Sequence, residues 1–215
     1  VFGIEVRHYI PKRAEEGYGL SPRGIDKAHK NGIDLIITVD SGTNNVAEVE
    51  YLKKKGMNII ITDHHELTKK IPKAPVVNPK LNSFGYKYLS GAGVAFKLAD
   101  CAFFDCSGKN TEVWSEKTPE IPALASIGTL IDKVPLLDEN RIIYNEGLKC
   151  LKKSQNPSFY FLAGRKNLLK AIIPLASGRE SLTWEFFSAR TIEEAENIYE
   201  SLKLKHSIWN RKGRA

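Results

Sequence analysis

Two runs of strand-forming residues constrain the fold of this chain more than any other feature. The first run, 34–40, reads Asp-Leu-Ile-Ile-Thr-Val-Asp, and the second, 58–65, reads Asn-Ile-Ile-Ile-Thr-Asp-His-His. Continuous β-branched runs that are bounded by turn signals are typical of buried parallel strands. Between them, residues 46–55 place valine and leucine at helical spacing, and Gly56 follows as a helix terminator. The sequence therefore predicts a right-handed β-α-β unit.

The ends of these two strands carry the residues best suited to chemistry. Asp40 ends the first run, and Asp63, His64 and His65 end the second, so all four are expected at the edge where open α/β folds bind ligands. An isolated aspartate at a strand end is more often a turn or helix cap. Two adjacent histidines are harder to explain in this way, because side chains alternate along a strand and each ring would need its own structural partner. Carboxylate and imidazole together suit divalent metals such as Mn²⁺, so we predict a functional metal site here.

Other segments add helices and short strands to this unit. Residues 1–10 alternate as in a strand, Ser21 and Pro22 form a good helix start, and Val76-Val77 has room for a short strand. Helical patterns occupy segments 22–30, 89–104, 119–130, 138–153 and 191–212. The fold class that we predict is α/β, a Rossmann-like, mostly parallel sheet with flanking helices, followed by a partly exposed helical connector.

The formal net charge of +7 is unevenly distributed along the chain. Residues 1–150 hold 20 Lys and Arg against 19 Asp and Glu, a net +1, whereas residues 151–215 hold 12 against 6, a net +6. The basic excess is consistent with an approach surface for a polyanion. A solvated face of lysine-rich helices explains the same excess equally well, and charge alone does not decide between the two.

Three cysteines, Cys101, Cys106 and Cys150, lack the paired spacing of a zinc site. Reduced thiols of this kind are typical of cytoplasmic proteins, which is the compartment that we expect. No apolar run reaches the ~20 residues of a membrane span, and no signal-peptide pattern opens the chain. We therefore expect no contact with a membrane.

Five short blocks follow one another along the chain, at residues 11–20, 39–43, 63–65, 89–98 and 127–132. They read Pro-Lys-Arg-Ala-Glu-Glu-Gly-Tyr-Gly-Leu, Val-Asp-Ser-Gly-Thr, Asp-His-His, Leu-Ser-Gly-Ala-Gly-Val-Ala-Phe-Lys-Leu and Ile-Gly-Thr-Leu-Ile-Asp. In this order they resemble the DHH phosphoesterase family, and within it the RecJ-type single-strand nucleases. The Gly-Tyr-Gly loop and the block around Gly91 favour the RecJ type over the other branches of the family.

The resemblance implies a phosphodiesterase that uses two metal ions, Mn²⁺ or Mg²⁺. It implies that Asp40 bridges both ions and that His64 and Asp132 hold the second ion. It also implies that His65 faces the scissile phosphate and that Asp63 orients the histidines without touching a metal. The chemistry of these side chains agrees with such roles, since two close cations can activate water and neutralise a leaving oxygen.

The family blocks also imply substrate-binding residues away from the metals. These are Arg13, Gly91, Ala92, Gly93 and Arg179. A small-residue turn at a helix start can present backbone N–H groups to an anion, although tight packing is the commoner reason for such a turn. Arg179 closes the block 173–179, in which Leu175 stands where the family pattern has asparagine.

The activity implied by the resemblance is degradation of single-stranded DNA from 5′ to 3′ in DNA repair and recombination. RNA as a substrate and a replication or repair protein as a partner stay open. One alternative is a non-catalytic replication-fork scaffold of the same lineage. Another is a phosphodiesterase for small nucleotides or oligoribonucleotides.

The predicted organisation is a DHH phosphoesterase domain over residues 1–153 and a basic, mostly helical extension over 154–215. In the family another acidic block ends the first strand, and a further domain follows the connector. Neither has a counterpart between Val1 and Ala215. We therefore expect a core fragment of a longer protein, which by itself is a poor nuclease.

Overall fold

The two strand-forming runs pair in parallel, as the sequence predicts. Strand β1, Leu35–Val39, lies beside β2, Asn58–Thr62, with Leu35 opposite Asn58 and Val39 opposite Thr62. A third strand, β3, spans Val76–Val77 and pairs in parallel with the other side of β2. The strand order is β1-β2-β3, so β2 is the central strand. This parallel sheet with its flanking helices confirms the predicted α/β class.

The chain divides into two units, Val1–Lys87 and Tyr88–Ala215. The computed structural model describes residues 5–68, 70–81, 85–107, 118–176 and 180–212. The sheet belongs to the first unit, and the regular elements in the described part of the second unit are all helices. Among the described helices, none combines the length and apolar character that crossing a membrane requires.

The first unit has three helices among its described residues: α1, Arg13–Glu16; α2, Pro22–Lys30; and α3, Val46–Lys54. Of these, α2 and α3 contribute apolar side chains to the core beside the sheet. The α3 residues Val49 and Leu52 pack in one buried cluster with Ile59 and Ile61 of β2, because the inward positions of both elements are apolar. The other members of this cluster are Ile25 and Met57. Burial on this scale fixes the β-α-β unit and holds the end of β2 in place.

The N-terminal end of α2 follows from its first residues. The hydroxyl of Ser21 accepts a hydrogen bond from the backbone N–H of Gly24 at 3.0 Å, and Pro22 occupies the first helical turn. This is the cap that the sequence predicts, because a serine oxygen satisfies an N–H group that the helix leaves without a partner.

The strand predicted for residues 1–10 is wrong for its described part, 5–10, which has no regular structure. Val6 is 82% exposed, so the apolar alternation buries nothing there. Tyr9 instead packs its ring over Gly24 and donates a hydrogen bond from its hydroxyl to Glu16 at 2.5 Å. Alternating apolar residues form a strand only where a neighbouring strand supplies partners for the backbone hydrogen bonds.

The second unit contains a series of helices, of which the first three and the last follow the predicted patterns, whereas no helix was predicted between residues 154 and 190. They are α4, Gly91–Ser107; α5, Glu120–Ile131; α6, Asp138–Lys153; α7, Pro157–Ala163; α8, Leu168–Ile172; a 3₁₀ turn, Ile173–Ala176; α9, Glu180–Phe187; and α10, Ile192–Lys212. Helix α5 approaches both of its neighbours closely at glycines. A Cβ atom at Gly128 would collide with Ala92 of α4, and one at Gly147 of α6 would collide with Ser126.

One apolar cluster runs through the second unit. Ile127 of α5 and Cys150 of α6 pack in it together with Phe159, Phe186 and Leu202 from the basic C-terminal segment. Residues after 153 therefore share a core with residues before it. The units divide between Lys87 and Tyr88, and the domain boundary placed after residue 153 stays a prediction.

Candidate metal centre

The register of the sheet brings the two acidic strand ends to one edge. Because Val39 lies opposite Thr62, the next residues, Asp40 and Asp63, leave the sheet side by side. Asp40 adopts a left-handed backbone conformation with φ 59°, which aspartate tolerates better than most residues. Gly42 follows with φ 112°, and a Cβ atom there would lie 2.9 Å from the Thr38 hydroxyl. The turn after β1 is therefore held tightly against the sheet, with Asp40 at its tip.

Asp40 and both histidines form a compact group of potential ligands. Asp40 Oδ1 lies 3.1 Å from His64 Nε2 and 4.0 Å from His65 Nδ1. One ligand atom from each of the three residues lies within 4.8 Å of the other two. The His64 side chain is only 10% exposed, whereas those of Asp40 and His65 are partly open, at 46% and 43%. Such a group can bind a cation from one side and meet a ligand from the other.

Asp63 lies behind this group and is almost fully buried. Its Oδ1 atom accepts hydrogen bonds from the backbone N–H groups of His64 at 2.7 Å and His65 at 3.2 Å. The same atom lies 2.6 Å from His65 Nδ1, and Oδ2 accepts the backbone N–H of Thr43 at 2.9 Å. Because backbone N–H groups can only donate, they hold this carboxyl group as an acceptor, and Nδ1 of His65 must carry the hydrogen.

The charge of Asp63 is fixed by the same contacts. Burial by itself raises the pKa of the Asp63 carboxyl, but hydrogen bonds from His65 and from the backbone and side chain of Thr43 outweigh it. The pKa is therefore held below its usual value, and Asp63 is a carboxylate at neutral pH. With Nδ1 committed to Asp63, the His65 ring presents Nε2 for contact with another group.

The geometry of Asp40 and His64 fits a divalent cation. Two ligands at about 2.1 Å from an octahedral ion, in neighbouring positions, are about 3.0 Å apart. The observed Oδ1–Nε2 separation is 3.1 Å. Asp40 Oδ1 is also shielded from solvent and receives no hydrogen bond from the residues that the structure describes. A buried carboxylate oxygen in this position is suited to a metal, since a charge without compensation is costly.

The remaining predicted site residues lie elsewhere in the chain or beyond what is described. Asp132 follows α5 in the second unit, where its side chain is exposed and its backbone N–H caps the helix. Arg13 begins α1, but its side chain lies outside the described part of the chain, as does Arg179 altogether. Their roles at a metal or substrate stay predictions.

Gly91, Ala92 and Gly93 form the start of α4. The backbone N–H of Gly93 donates to the Ser90 hydroxyl at 2.9 Å, and that hydroxyl also lies 2.9 Å from the Thr129 hydroxyl. Ala92 packs against Gly128. Close helix packing therefore accounts for small residues here, and binding of an anion by these three residues stays a prediction.

Tyr18 is a site residue that sequence reasoning did not single out. Its hydroxyl donates to the backbone carbonyl of Asp40 at 2.5 Å, and its ring meets the His65 ring edge-on at 5.6 Å. The loop that carries it is anchored by Glu16, which accepts hydrogen bonds from Tyr9 and Ser21. The pKa of Glu16 is lowered to about 2, mainly by the hydrogen bond from Tyr9 and then by the one from Ser21. The Gly-Tyr-Gly pattern marks Tyr18 in the sequence, but it does not indicate that the hydroxyl bonds Asp40, which lies 22 residues away.

We expect the substitution Tyr18→Phe to weaken Mn²⁺ binding about fivefold. The ring contact with His65 is kept, and only the hydrogen bond to the Asp40 carbonyl is removed, which is about 1 kcal/mol. Calorimetric titration with Mn²⁺ measures the effect, and Tyr160→Phe, at an exposed tyrosine of α7, is the matched control. Equal affinities for the Tyr18→Phe and wild-type proteins would show that Tyr18 does not position Asp40.

Comparisons with known proteins identify the family of this chain. The model of the DHH family, N-terminal domain, matches residues 2–129. The single-stranded-DNA-specific exonuclease RecJ of Bacillus subtilis is 38% identical over 169 residues, which are 77% of this chain and 19% of that protein. The protein of the same name from Escherichia coli is 36% identical over 158 residues, 68% of this chain and 27% of that protein. The chain thus spans about a fifth to a quarter of the length of these curated relatives.

Solved structures show the same fold. A crystal structure of exonuclease RecJ bound to manganese superposes with a TM-score of 0.77 at 29% identity, covering 93% of this chain and 53% of that one. RecJ from Thermus thermophilus in complex with Mn²⁺ gives a TM-score of 0.71 at 28% identity, covering 86% of this chain and 29% of that one. Since the family model covers more than half of the sequence and the fold agrees with it, the chain belongs to the DHH family.

Proposed function

We propose that this chain is the DHH part of a divalent-metal-dependent phosphodiesterase that degrades single-stranded DNA from the 5′ end. The observation that carries the proposal is the 3.1 Å separation of Asp40 Oδ1 and His64 Nε2, with the His65 ring held beside them by Asp63. The names of the relatives, single-stranded-DNA-specific exonucleases, support the choice of substrate. The manganese in related structures supports the choice of metal.

Asp40 and His64 are the residues of the first unit that would hold a cation. Asp132 is the further ligand that the family pattern adds. When bound, a pair of Mn²⁺ or Mg²⁺ ions supplies water activation and neutralises charge on the phosphate and the leaving oxygen. The protein contributes a carboxylate that is fixed by the turn after β1 and a nearly buried imidazole.

His65 is the residue that we assign to the scissile phosphate. Its Nδ1 hydrogen is bound by Asp63, which leaves Nε2 on the partly exposed side of the ring. When Nε2 is protonated as well, the resulting imidazolium can donate a hydrogen bond from Nε2 to a phosphate oxygen, or pass that proton to the departing oxygen, which returns the ring to its neutral form. Asp63 stabilises the positive charge that the ring carries while it does so.

The experiment that tests the function is a nuclease assay on the intact protein. Single-stranded DNA labelled at the 5′ or the 3′ end is incubated with Mn²⁺ or with EDTA, beside duplex DNA, single-stranded RNA and a dinucleotide. We expect Mn²⁺-dependent release of the 5′ label from single-stranded DNA as the first product. Binding of DNA without hydrolysis would favour the scaffold alternative, and hydrolysis of the dinucleotide alone would favour the small-nucleotide one.

Basic residues of the segment 151–215 are the part of the surface that we assign to the DNA backbone. Lys166 and Lys170 flank the start of α8 and are exposed. We expect their double substitution by alanine to flatten the salt dependence of single-strand binding, by about 0.7 in the log–log slope for each phosphate that the variant no longer binds. Fluorescence anisotropy at several salt concentrations measures the slope.

The control for this prediction removes the same number of charges elsewhere. Lys97 and Lys149 lie outside the segment and pair with Glu139 and Glu146. Their double substitution by alanine is expected to leave the slope unchanged. An unchanged slope in the Lys166 and Lys170 variant as well would make the basic segment a solvated face.

The cysteines support a reducing compartment such as the cytoplasm as the place of action. Cys101 is free and exposed, and Cys150 is free and buried in the core of the second unit. Burial raises the pKa of the Cys150 thiol, which keeps it protonated and unreactive. Exposed free thiols are common where glutathione keeps them reduced.

A further inference from the structure

A buried asparagine connects β3 to the centre and is used by none of the roles above. Asn78 directly follows β3 and is only 2% exposed. Its Nδ2 atom donates to the hydroxyl of Thr43 and to the backbone carbonyl of His65, both at 2.9 Å. Its Oδ1 atom accepts the backbone N–H of Lys80 at 2.9 Å. All three hydrogen bonds are well formed, so this side chain has one fixed orientation.

The direction of these bonds is set by chemistry. A backbone N–H group can only donate and a carbonyl can only accept, so Oδ1 must face Lys80 and the NH₂ group must face His65. The Thr43 hydroxyl therefore receives a hydrogen from Asn78 and has its own hydrogen left to donate. Thr43 also holds Asp63, because its backbone N–H donates to the Oδ2 atom of that carboxylate at 2.9 Å.

The chain of donors ends at the His65 ring. Asp63, already filled by donors from Thr43 and from the two backbone N–H groups after it, accepts the Nδ1 hydrogen of His65 at 2.6 Å. Asn78 thus acts on His65 from two sides. It holds the backbone carbonyl directly, and it holds the ring through Thr43 and Asp63.

We propose that Asn78 and Thr43 are positioning residues that hold His65 in one ring orientation and one tautomer. This inference rests on the proposed function, because it concerns the imidazole assigned to the phosphate. Neither residue touches substrate or metal. Their contribution is to turnover, since a ring that samples other orientations presents Nε2 to the phosphate for less of the time.

The decisive comparison is between Thr43→Val and Thr43→Ser in the intact protein. Thr43 is fully buried, and valine has the same shape without the hydroxyl, whereas serine keeps the hydroxyl. We expect Thr43→Val to lower kcat by about tenfold with an unchanged KM for single-stranded DNA, as for other groups that orient a site residue. Thr43→Ser is expected to restore kcat to near the wild-type value.

A second readout does not depend on activity. In the metal-free protein labelled with ¹⁵N-histidine, the wild-type His65 ring is expected to show the shifts of a single tautomer with hydrogen on Nδ1. Thr43→Val and Asn78→Asp should both move these shifts towards the average of two tautomers. If the wild-type protein proved not to be a nuclease, the NMR comparison would still decide whether Asn78 and Thr43 order the ring.

The matched control is Asn44→Asp. Asn44 forms hydrogen bonds with the carbonyl of Glu66 and the N–H of Thr68, and among the described residues its side chain forms none with Asp63 or His65. We expect its substitution to leave the His65 shifts and kcat unchanged. The inference is overturned if Thr43→Val keeps the wild-type shifts, if Thr43→Ser and Thr43→Val are equally slow, or if Asn44→Asp reproduces the loss.

Discussion

The substitution Asp40→Asn is expected to lower kcat of the intact protein by roughly a thousandfold. Asp40 supplies the carboxylate oxygen that faces His64 Nε2 at 3.1 Å, and in the proposed function it would be a metal ligand. Metal ions contribute several kcal/mol to phosphodiester hydrolysis, and each 1.36 kcal/mol is a factor of ten in rate. Asparagine keeps the shape and tolerates the left-handed conformation at this position, φ 59°, so the turn is expected to stay folded.

Turnover of labelled single-stranded DNA and the affinity for Mn²⁺ are measured together for this variant. Asp34→Asn is the matched control, because Asp34 immediately precedes β1 at its opposite end and is exposed. We expect wild-type turnover from the control and weakened Mn²⁺ binding from Asp40→Asn. A loss of less than tenfold with unchanged Mn²⁺ affinity would mean that Asp40 is not a metal ligand, and the proposed chemistry would have to be withdrawn.

The sheet edge that carries the site could be predicted because its signals are local. The β-branched runs before Asp40 and Asp63, with a helix between them, leave little choice but a parallel pair. Strand alternation would place the rings of two adjacent histidines on opposite faces of a sheet. In the structure β2 ends at Thr62, so alternation no longer applies to them, and the rings lie 4.7 Å apart on the same side. The proximity of Asp40 and the two histidines was predictable, whereas the arrangement of the two rings depended on where the strand stops.

Contacts between distant segments could not be predicted in the same way. Tyr18 reaches Asp40 across 22 residues, and Asn78 reaches Thr43 across 35. No periodicity encodes which loop residue meets which turn, because such contacts depend on how whole elements pack. The opposite error occurred at residues 5–10, where alternation predicted a strand but Tyr9 is held by α2 and Glu16 instead.

The substitution Asp63→Asn is expected to lower the free energy of unfolding of the metal-free protein by about 3 kcal/mol at pH 7. In either orientation of the asparagine side chain, its NH₂ group would face a backbone N–H donor and could not form a hydrogen bond in this buried pocket. The Oδ2 side meets the Thr43 N–H, and the Oδ1 side meets the N–H groups of His64 and His65. Turnover should also fall by about 10- to 100-fold, since the His65 ring loses the carboxylate that orients it.

The pH dependence of this difference provides a specific test. The folded-state pKa of Asp63 is lower than its unfolded value, so its contribution is fully present above the ordinary carboxyl pKa of about 3.9. This contribution to stability is lost as the pH falls through the folded-state pKa of Asp63, because the carboxyl group is then protonated in both the folded and the unfolded state. We therefore expect the difference in free energy of unfolding between the wild-type and Asp63→Asn proteins to be constant from pH 7 to 5 and to become smaller below pH 4. Denaturant unfolding in EDTA measures this difference. Asp34→Asn, at an exposed residue, is expected to have the same free energy of unfolding as the wild-type protein at neutral pH. If the difference in free energy of unfolding for Asp63→Asn stayed constant down to pH 3, the destabilisation would come from disturbed packing and not from the lost charge. Asp63 would then be a structural residue.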